Sequence, residues 1–290
     1  MISGTRYDVI DAVEPCRFMN IALLVRLVLA PALVAAATLA ARRWGAAAAG
    51  WAAATPVVAG PVLLVFVIDH GPGFGAQAAG AATLGLVSLA VFTMVYARMA
   101  LLGAPWPLCL PIGWASFVCT TALLSMVAVP PVVALVAAIA AFVLLRRLTG
   151  SPRPLQPEGR RPRGDIPLRM FAALVMVLAL GLVAGRLGPR VSGLLAPFPI
   201  IGSVMAVFTH ITRGREALQG YSLALVKGLP SFALFTATVA LTVEGAGTPT
   251  AFLLASLLAA ASHGILIFID TRATRPQPEG SSQEVQHEGI

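Results

Sequence analysis

The side chains able to do chemistry are few, and most sit in apolar surroundings. Lys227, the only lysine of the chain, lies inside the run ALQGYSLALVKGLPSFALFTATVALT. Ser231, Thr238 and Thr242 share its helical face, with Gly228 and Pro230 beside it. A helix rises about 1.5 Å per residue, so counting from the charged joint Arg213-Gly214-Arg215-Glu216 places the ammonium roughly 15 Å deep. It has two readings. It is tied to carbonyls freed by Pro230, or snorkels along a tilted helix. Alternatively it is a cation in a substrate cavity, meeting an anionic ligand at the midplane. Ser231 would then donate one turn away and Gly228 would let the backbone approach. The carboxylates near the membrane, Asp69, Glu216, Glu244 and Asp270, all fall close to helix ends. None is expected at the depth of Lys227, where a lone ammonium costs about 2.5–3.5 kcal/mol. Arg26 and Arg169 stand near the starts of their apolar runs, as interfacial anchors or as paired gate or headgroup contacts.

Several classes of chemistry lack their residues. A proton-coupled cation exporter needs a midplane carboxylate. Mg²⁺-assisted transfer needs paired aspartates, and hydrolysis needs a Ser-His or His-Glu-x-x-His constellation. None is present, so neither an enzyme nor a cofactor is expected. His210 and His263 read as packed, hydrogen-bonded side chains without metal-ligand spacing. Cys16, Cys109 and Cys119 show no paired spacing, and the last two read as small packing residues. The stretch Gly71-Pro72-Gly73-Phe74-Gly75 follows no strand and reads as a loop, not a nucleotide site.

What positions these residues is a membrane. The chain has 290 residues, 58% of them apolar and 11% charged, more apolar surface than a water-soluble core can use. Nine apolar spans are expected, near 20–41, 49–68, 79–96, 108–129, 131–145, 168–183, 191–211, 218–242 and 250–269. Residues 1–19 are polar and form no cleavable signal. Residues 148–167 form a basic, Pro- and Gly-rich linker, and 271–290 a polar tail. The net charge of +8 resides in arginines between spans, so it encodes topology and does not point to nucleic acid. Arg42, Arg43, Arg98, the linker, Arg213, Arg215, Arg272 and Arg275 fall on one side, and only Arg6, Arg17, Arg186 and Arg190 on the other. The richer side is expected to be cytoplasmic, with the N-terminus out and the C-terminus in. The linker arginines would also attract anionic lipids of that leaflet.

The chain also matches itself. A shift of about 143 residues superimposes Arg26 on Arg169, Arg43 on Arg186, Gly45 on Gly188 and Gly50 on Gly193. Pro56 falls on Pro199, Gly71 on Gly214, Gly85 on Gly228 and Ser88 on Ser231. That offset spans five helices, so the second copy would enter the membrane from the opposite face. The expected fold is an all-α polytopic membrane protein. Two inverted four-helix repeats, 20–128 and 168–270, are joined by a linker helix at 131–145. Inverted repeats with interrupted helices at matching positions are the pattern of secondary transporters. The matching interruptions expected here are Pro56 with Pro199, and Gly85 with Gly228, the latter reinforced by Pro230. Gly181-x-x-x-Gly185 reads as a close helix-packing site.

Phe198-Pro199, followed after thirteen residues by Arg213-Gly214-x-Glu216-Ala217-Leu218, resembles the GlpM-type small bacterial inner-membrane proteins, single four-helix units the size of one repeat. The first copy is similar at Leu23-Leu24-Val25-Arg26. It departs where the family's Phe becomes Thr55, its Arg His70 and its Glu Gly73. The resemblance implies an inner-membrane location and a link to exopolysaccharide production. Two functions are therefore expected. One is a transporter or flippase for an anionic solute or lipid headgroup. The other is a non-enzymatic scaffold supporting envelope-polysaccharide proteins.

Overall fold

The computed structural model describes residues 31–32, 34–56, 59–149, 165–184 and 188–273, and among these there is no strand. Backbone polar groups in hydrocarbon must pair within their own segment, which is why apolar runs fold as helices. In order they are α1 (helical residues 34–44), α2 (Ala46–Ala53), α3 (Ala59–His70), α4 (Pro72–Leu101) and α5 (Trp106–Ser125). α6 (Pro131–Thr149), α7 (Asp165–Ala184), α8 (Pro189–Leu195), α9 (Ile200–Ala246) and α10 (Thr248–Ala273) follow. Among the described residues, five stretches are long and apolar enough to cross a bilayer: α4, α5, α6 through Leu148, the run Pro189–Ala246, and α10 through Arg272. An integral multi-pass membrane protein requires such helices. Arg26, Arg160, Arg161, Arg163, Gly185, the polar N-terminal segment and most of the tail lie outside the described residues.

Two helical breaks shape the molecule. The second expected span is α2 and α3 separated at Ala54-Thr55-Pro56, and the seventh is α8 and the start of α9 separated at Ala196-Pro197-Phe198-Pro199. Proline removes an N–H donor and clashes with the preceding turn, so each span stops there. After each break the chain runs one short helix and then reverses at a glycine. Gly71 (φ 89°, ψ 167°) joins α3 to α4, and Gly214 (φ 81°, ψ 179°) divides α9 into two limbs. Both have a backbone that L side chains rarely adopt. The expected loop at Gly71–Gly75 is thus a single-residue turn, because Pro72 starts α4 at once with its fixed φ.

α4 and the second limb of α9 form the centre and run antiparallel. A Cβ on Gly73 would meet Glu244, one on Gly80 would meet Ala240, and Thr83 Oγ1 lies 2.8 Å from Thr236 Oγ1. Ser88 and Ser231 fall at one level midway along this pair. Short helices brace it crosswise. Gly50 of α2 lies against the Tyr221 carbonyl, where an added Cβ would sit 2.2 Å from the oxygen. Gly193 of α8 lies the same 2.2 Å from the Ala78 carbonyl. Likewise Gly228 faces Trp51 and Ala54 while Gly85 faces Leu194 and Pro197. In each case the second contact is the first with both partners moved by the offset seen in the sequence.

These contacts correct one expectation. Neither Gly85 nor Gly228 interrupts its helix, and the only non-helical residue within α9 is Gly214. The two glycines are notches that admit α8 and α2, the close-approach role small residues play between membrane helices.

α6 packs on both α4 and α9, with Ala134, Ala138 and Phe142 inward and Val132, Val136, Val143 and Leu144 outward. α10 likewise turns Leu253, Leu257, Ile265 and Phe268 outward. In lipid such exposed apolar faces are the expected exterior, whereas the interior holds small and hydroxyl side chains.

Candidate functional site

The two breaks face each other. Ala53, Thr55 and Ala59 from the first, and Ala196 through Gly202 from the second, enclose a cavity of about 40 Å³ with Leu89, Leu225 and Phe232. That is room for a water or two. Leu89 and Phe232 follow Ser88 and Ser231, so the cavity lies at the level where the two central helices cross. Thr55 Oγ1 donates to the Ala52 carbonyl, 2.7 Å away, and holds the end of α2.

Thr55 also lines a second and larger space of about 760 Å³ between α3 and α10. Its walls are Pro61, Leu64, Phe235, Phe252, Ala260 and Ile267, and its polar floor is Ser231 with His263. The serine hydroxyl lies 2.7 Å from His263 Nδ1 and 2.7 Å from the Gly228 carbonyl. His263 is held edge-on by Trp51, with ring centroids 5.3 Å apart. From Phe252 to Ile267 the groove runs about 22 Å along α10, longer than one leaflet of hydrocarbon.

At the positions related to these by the 143-residue offset, the packing is closed. Phe117 and Phe198 stand at the positions matching Ala260 and Thr55, and their rings pack 5.3 Å apart. Trp114 Nε1 donates to Ser203 Oγ at 2.9 Å, bolting α5 to the first limb of α9. Ser88, at the position matching Ser231, accepts from Thr121 at 2.9 Å, one residue beyond the position matching His263. Larger side chains thus occupy, on this flank, the positions that Thr55 and Ala260 leave open on the other.

The expected cation site is organised differently from the sequence reading. Lys227 Nζ is ion-paired with Asp270 Oδ1 of α10, and their side chains are 19% and 27% exposed. The expectation that no carboxylate reaches its depth is therefore corrected: α10 returns antiparallel and carries Asp270 back to that level. Ser231 turns to His263, not to Lys227, and the space beside Gly228 is filled by Trp51, Ala54 and His263. Pro230 lies within α9, which continues through it.

Arg169, near the start of α7, is packed inside the helix bundle. It is 4% exposed, with Nη1 3.6 Å from Met205 Sδ and its guanidinium 4.6 Å from the Phe208 ring, where it joins α7 to α9. His210 also differs from expectation, since its Nδ1 is buried without a hydrogen-bond partner beside Tyr96. Cys109 is buried and Cys119 is exposed on the outer face of α5.

Thr55, His263 and Phe198 are the site residues that sequence reasoning undervalued. Thr55 against Phe198, and Ala260 against Phe117, were legible as size differences at matched positions, but only packing shows that they open a groove. Comparison with family models, with curated proteins and with solved structures finds no match to this chain.

Proposed function

We propose that this chain is an inverted-repeat flippase, moving a lipid or lipid-like amphiphile between leaflets of the bacterial inner membrane. In this reading 20–128 and 168–270 are two copies of one unit in opposite orientations. The exchanged contacts of Gly50 with Gly193 and of Gly85 with Gly228 support it, as does the antiparallel pairing of α4 with the second limb of α9. An axis relating antiparallel membrane helices lies in the membrane plane, the arrangement of many secondary transporters.

The carrying observation is the pair of helix breaks facing across a cavity that adjoins a lateral groove at Thr55. Irregular backbone at membrane depth is tolerated where it lines a cavity. A groove reached from the membrane flank favours a passenger that is itself dissolved in lipid. Ser231 and His263 offer its polar group hydrogen bonds on the way.

The test is dithionite quenching of a chain-labelled fluorescent phospholipid in proteoliposomes. Protein-free vesicles lose only the outer-leaflet signal, and vesicles with the wild-type chain should lose most of the remainder. Thr55→Phe, which copies the residue of the closed half, should remove most of that gain while leaving the protein folded. Equal quenching with and without protein would sink the flippase reading and favour a scaffold.

The same reading fixes orientation. The Gly71 turn, the Gly247 turn, the 126–130 loop and Arg190 share one end of the bundle, and the arginine bias assigns that end to the outside. Reporter fusions after Arg163 and after Arg275 should both report cytoplasm. An opposite pair of signals would refute the span count.

A further inference from the structure

At the end of the bundle away from Lys227, a cavity of about 440 Å³ opens between α4, α8, the last turns of α9 and the loop entering α6. Its walls are mostly apolar, among them Leu84, Leu124, Val129 and Leu194. Three polar side chains line it: Gln77, Arg190 and Glu244. Arg190 Nη2 is buried and has no hydrogen-bond partner. A buried guanidinium N–H left unmade is costly, and a charged acceptor would satisfy it best. Glu244 lies in the same cavity, yet among the described residues no ion pair joins it to Arg190. A cation and an anion thus line one space without being joined as an ion pair.

We propose that this cavity binds the headgroup of a zwitterionic phospholipid carrying a primary amine. The phosphate is held by Arg190 and the ammonium by Glu244. A simple anion would meet the guanidinium but be repelled by the carboxylate. A simple cation would meet the reverse. A phosphate with an ammonium a few bonds away satisfies both, and Gln77 can donate to a further phosphate oxygen. The level is right for a headgroup. α4 is 30 residues, about 45 Å, so its first turns project beyond a hydrocarbon core of about 30 Å. The apolar walls below take the start of the acyl chains, which identifies the ligand as a lipid and not its free headgroup.

This site stands independently of transport. Lipid retention without movement between leaflets would leave it intact and remove the flippase reading, whereas movement without headgroup preference would do the opposite. The experiment is native mass spectrometry of the purified full-length chain with equal amounts of phosphatidylethanolamine and phosphatidylglycerol of identical chains. The wild type should retain the ethanolamine lipid preferentially. Arg190→Gln should weaken retention of both roughly tenfold, the scale of one lost charge-assisted hydrogen bond, and Arg190→Lys should restore part of it. Glu244→Gln, at an exposed helix end, should keep the fold and shift the preference towards phosphatidylglycerol. Glycerophosphoethanolamine at matching concentration should not displace the lipid. No preference in the wild type, or one unchanged by Glu244→Gln, would overturn the proposal. Displacement by the soluble headgroup would overturn its assignment to a lipid.

Discussion

Alanine at Gly193, and separately at Gly50, should each cost about 3 kcal/mol or more, at or beyond the upper end of what overpacking a close-packed core costs. In both places the new Cβ would fall 2.2 Å from a carbonyl oxygen, of Ala78 and of Tyr221 respectively. Each obstacle is backbone in a long helix, so neither can rotate away as a side-chain tip could. Relief requires the short helix to lift off the central pair, which also withdraws its neighbours from the notches at Gly85 and Gly228. The control is Gly220→Ala in the same limb of α9, where nothing lies within 4 Å of the added atom. There alanine should be neutral or stabilise by up to about 1 kcal/mol, as it does in an open helix interior. Thermal unfolding in detergent, followed by tryptophan fluorescence, separates the outcomes. If Gly50→Ala and Gly193→Ala melt like wild type, the two short helices do not brace the centre as described. Similar losses at both positions are expected, because the two contacts repeat one geometry.

Much of this architecture was legible in the sequence, for physical reasons that can be named. Apolar runs of about twenty residues fold as helices in lipid. Pro56 and Pro199 mark two of their breaks, whereas Pro111 and Pro230 lie within helices that continue. Gly71 and Gly214 announced sharp turns by their proximity to charge, although the extent of the first was overestimated because Pro72 can begin a helix as well as end one. Gly85 and Gly228 were misread because a glycine that breaks a helix and one that admits a neighbour look alike in a single sequence. Only the partner's backbone distinguishes them. The groove was hidden for a similar reason. Thr55 and Ala260 are ordinary small residues, and nothing in the sequence says that a space lies between them. Phe198 and Phe117, at the positions matched by the offset, pack against each other instead.

Lys227 marks the limit most clearly, and its removal should have the other large effect. Depth counted along one helix placed the ammonium far from every carboxylate, since Asp270 is 43 positions away. The turn at Gly247 folds α10 back beside α9 and delivers Asp270 to the same level. Lys227→Met takes the ammonium away from Asp270, and Asp270→Asn takes the carboxylate away from Lys227. Each should destabilise by about 3 kcal/mol, the low end for stripping one partner from a buried pair, because both side chains retain some exposure. The double variant should cost clearly less than the two together, with an interaction energy of about 1–3 kcal/mol. Stability and lipid transfer then separate the two roles left open for this residue. As a bolt between α9 and α10, Lys227 is dispensable once its charge partner is gone, and the double variant should quench the labelled lipid as the wild type does. As a ligand-binding cation it is not. A double variant that is folded and inactive would return Lys227 to the substrate path, and one whose cost is strictly additive would show that the ion pair does not couple the helices.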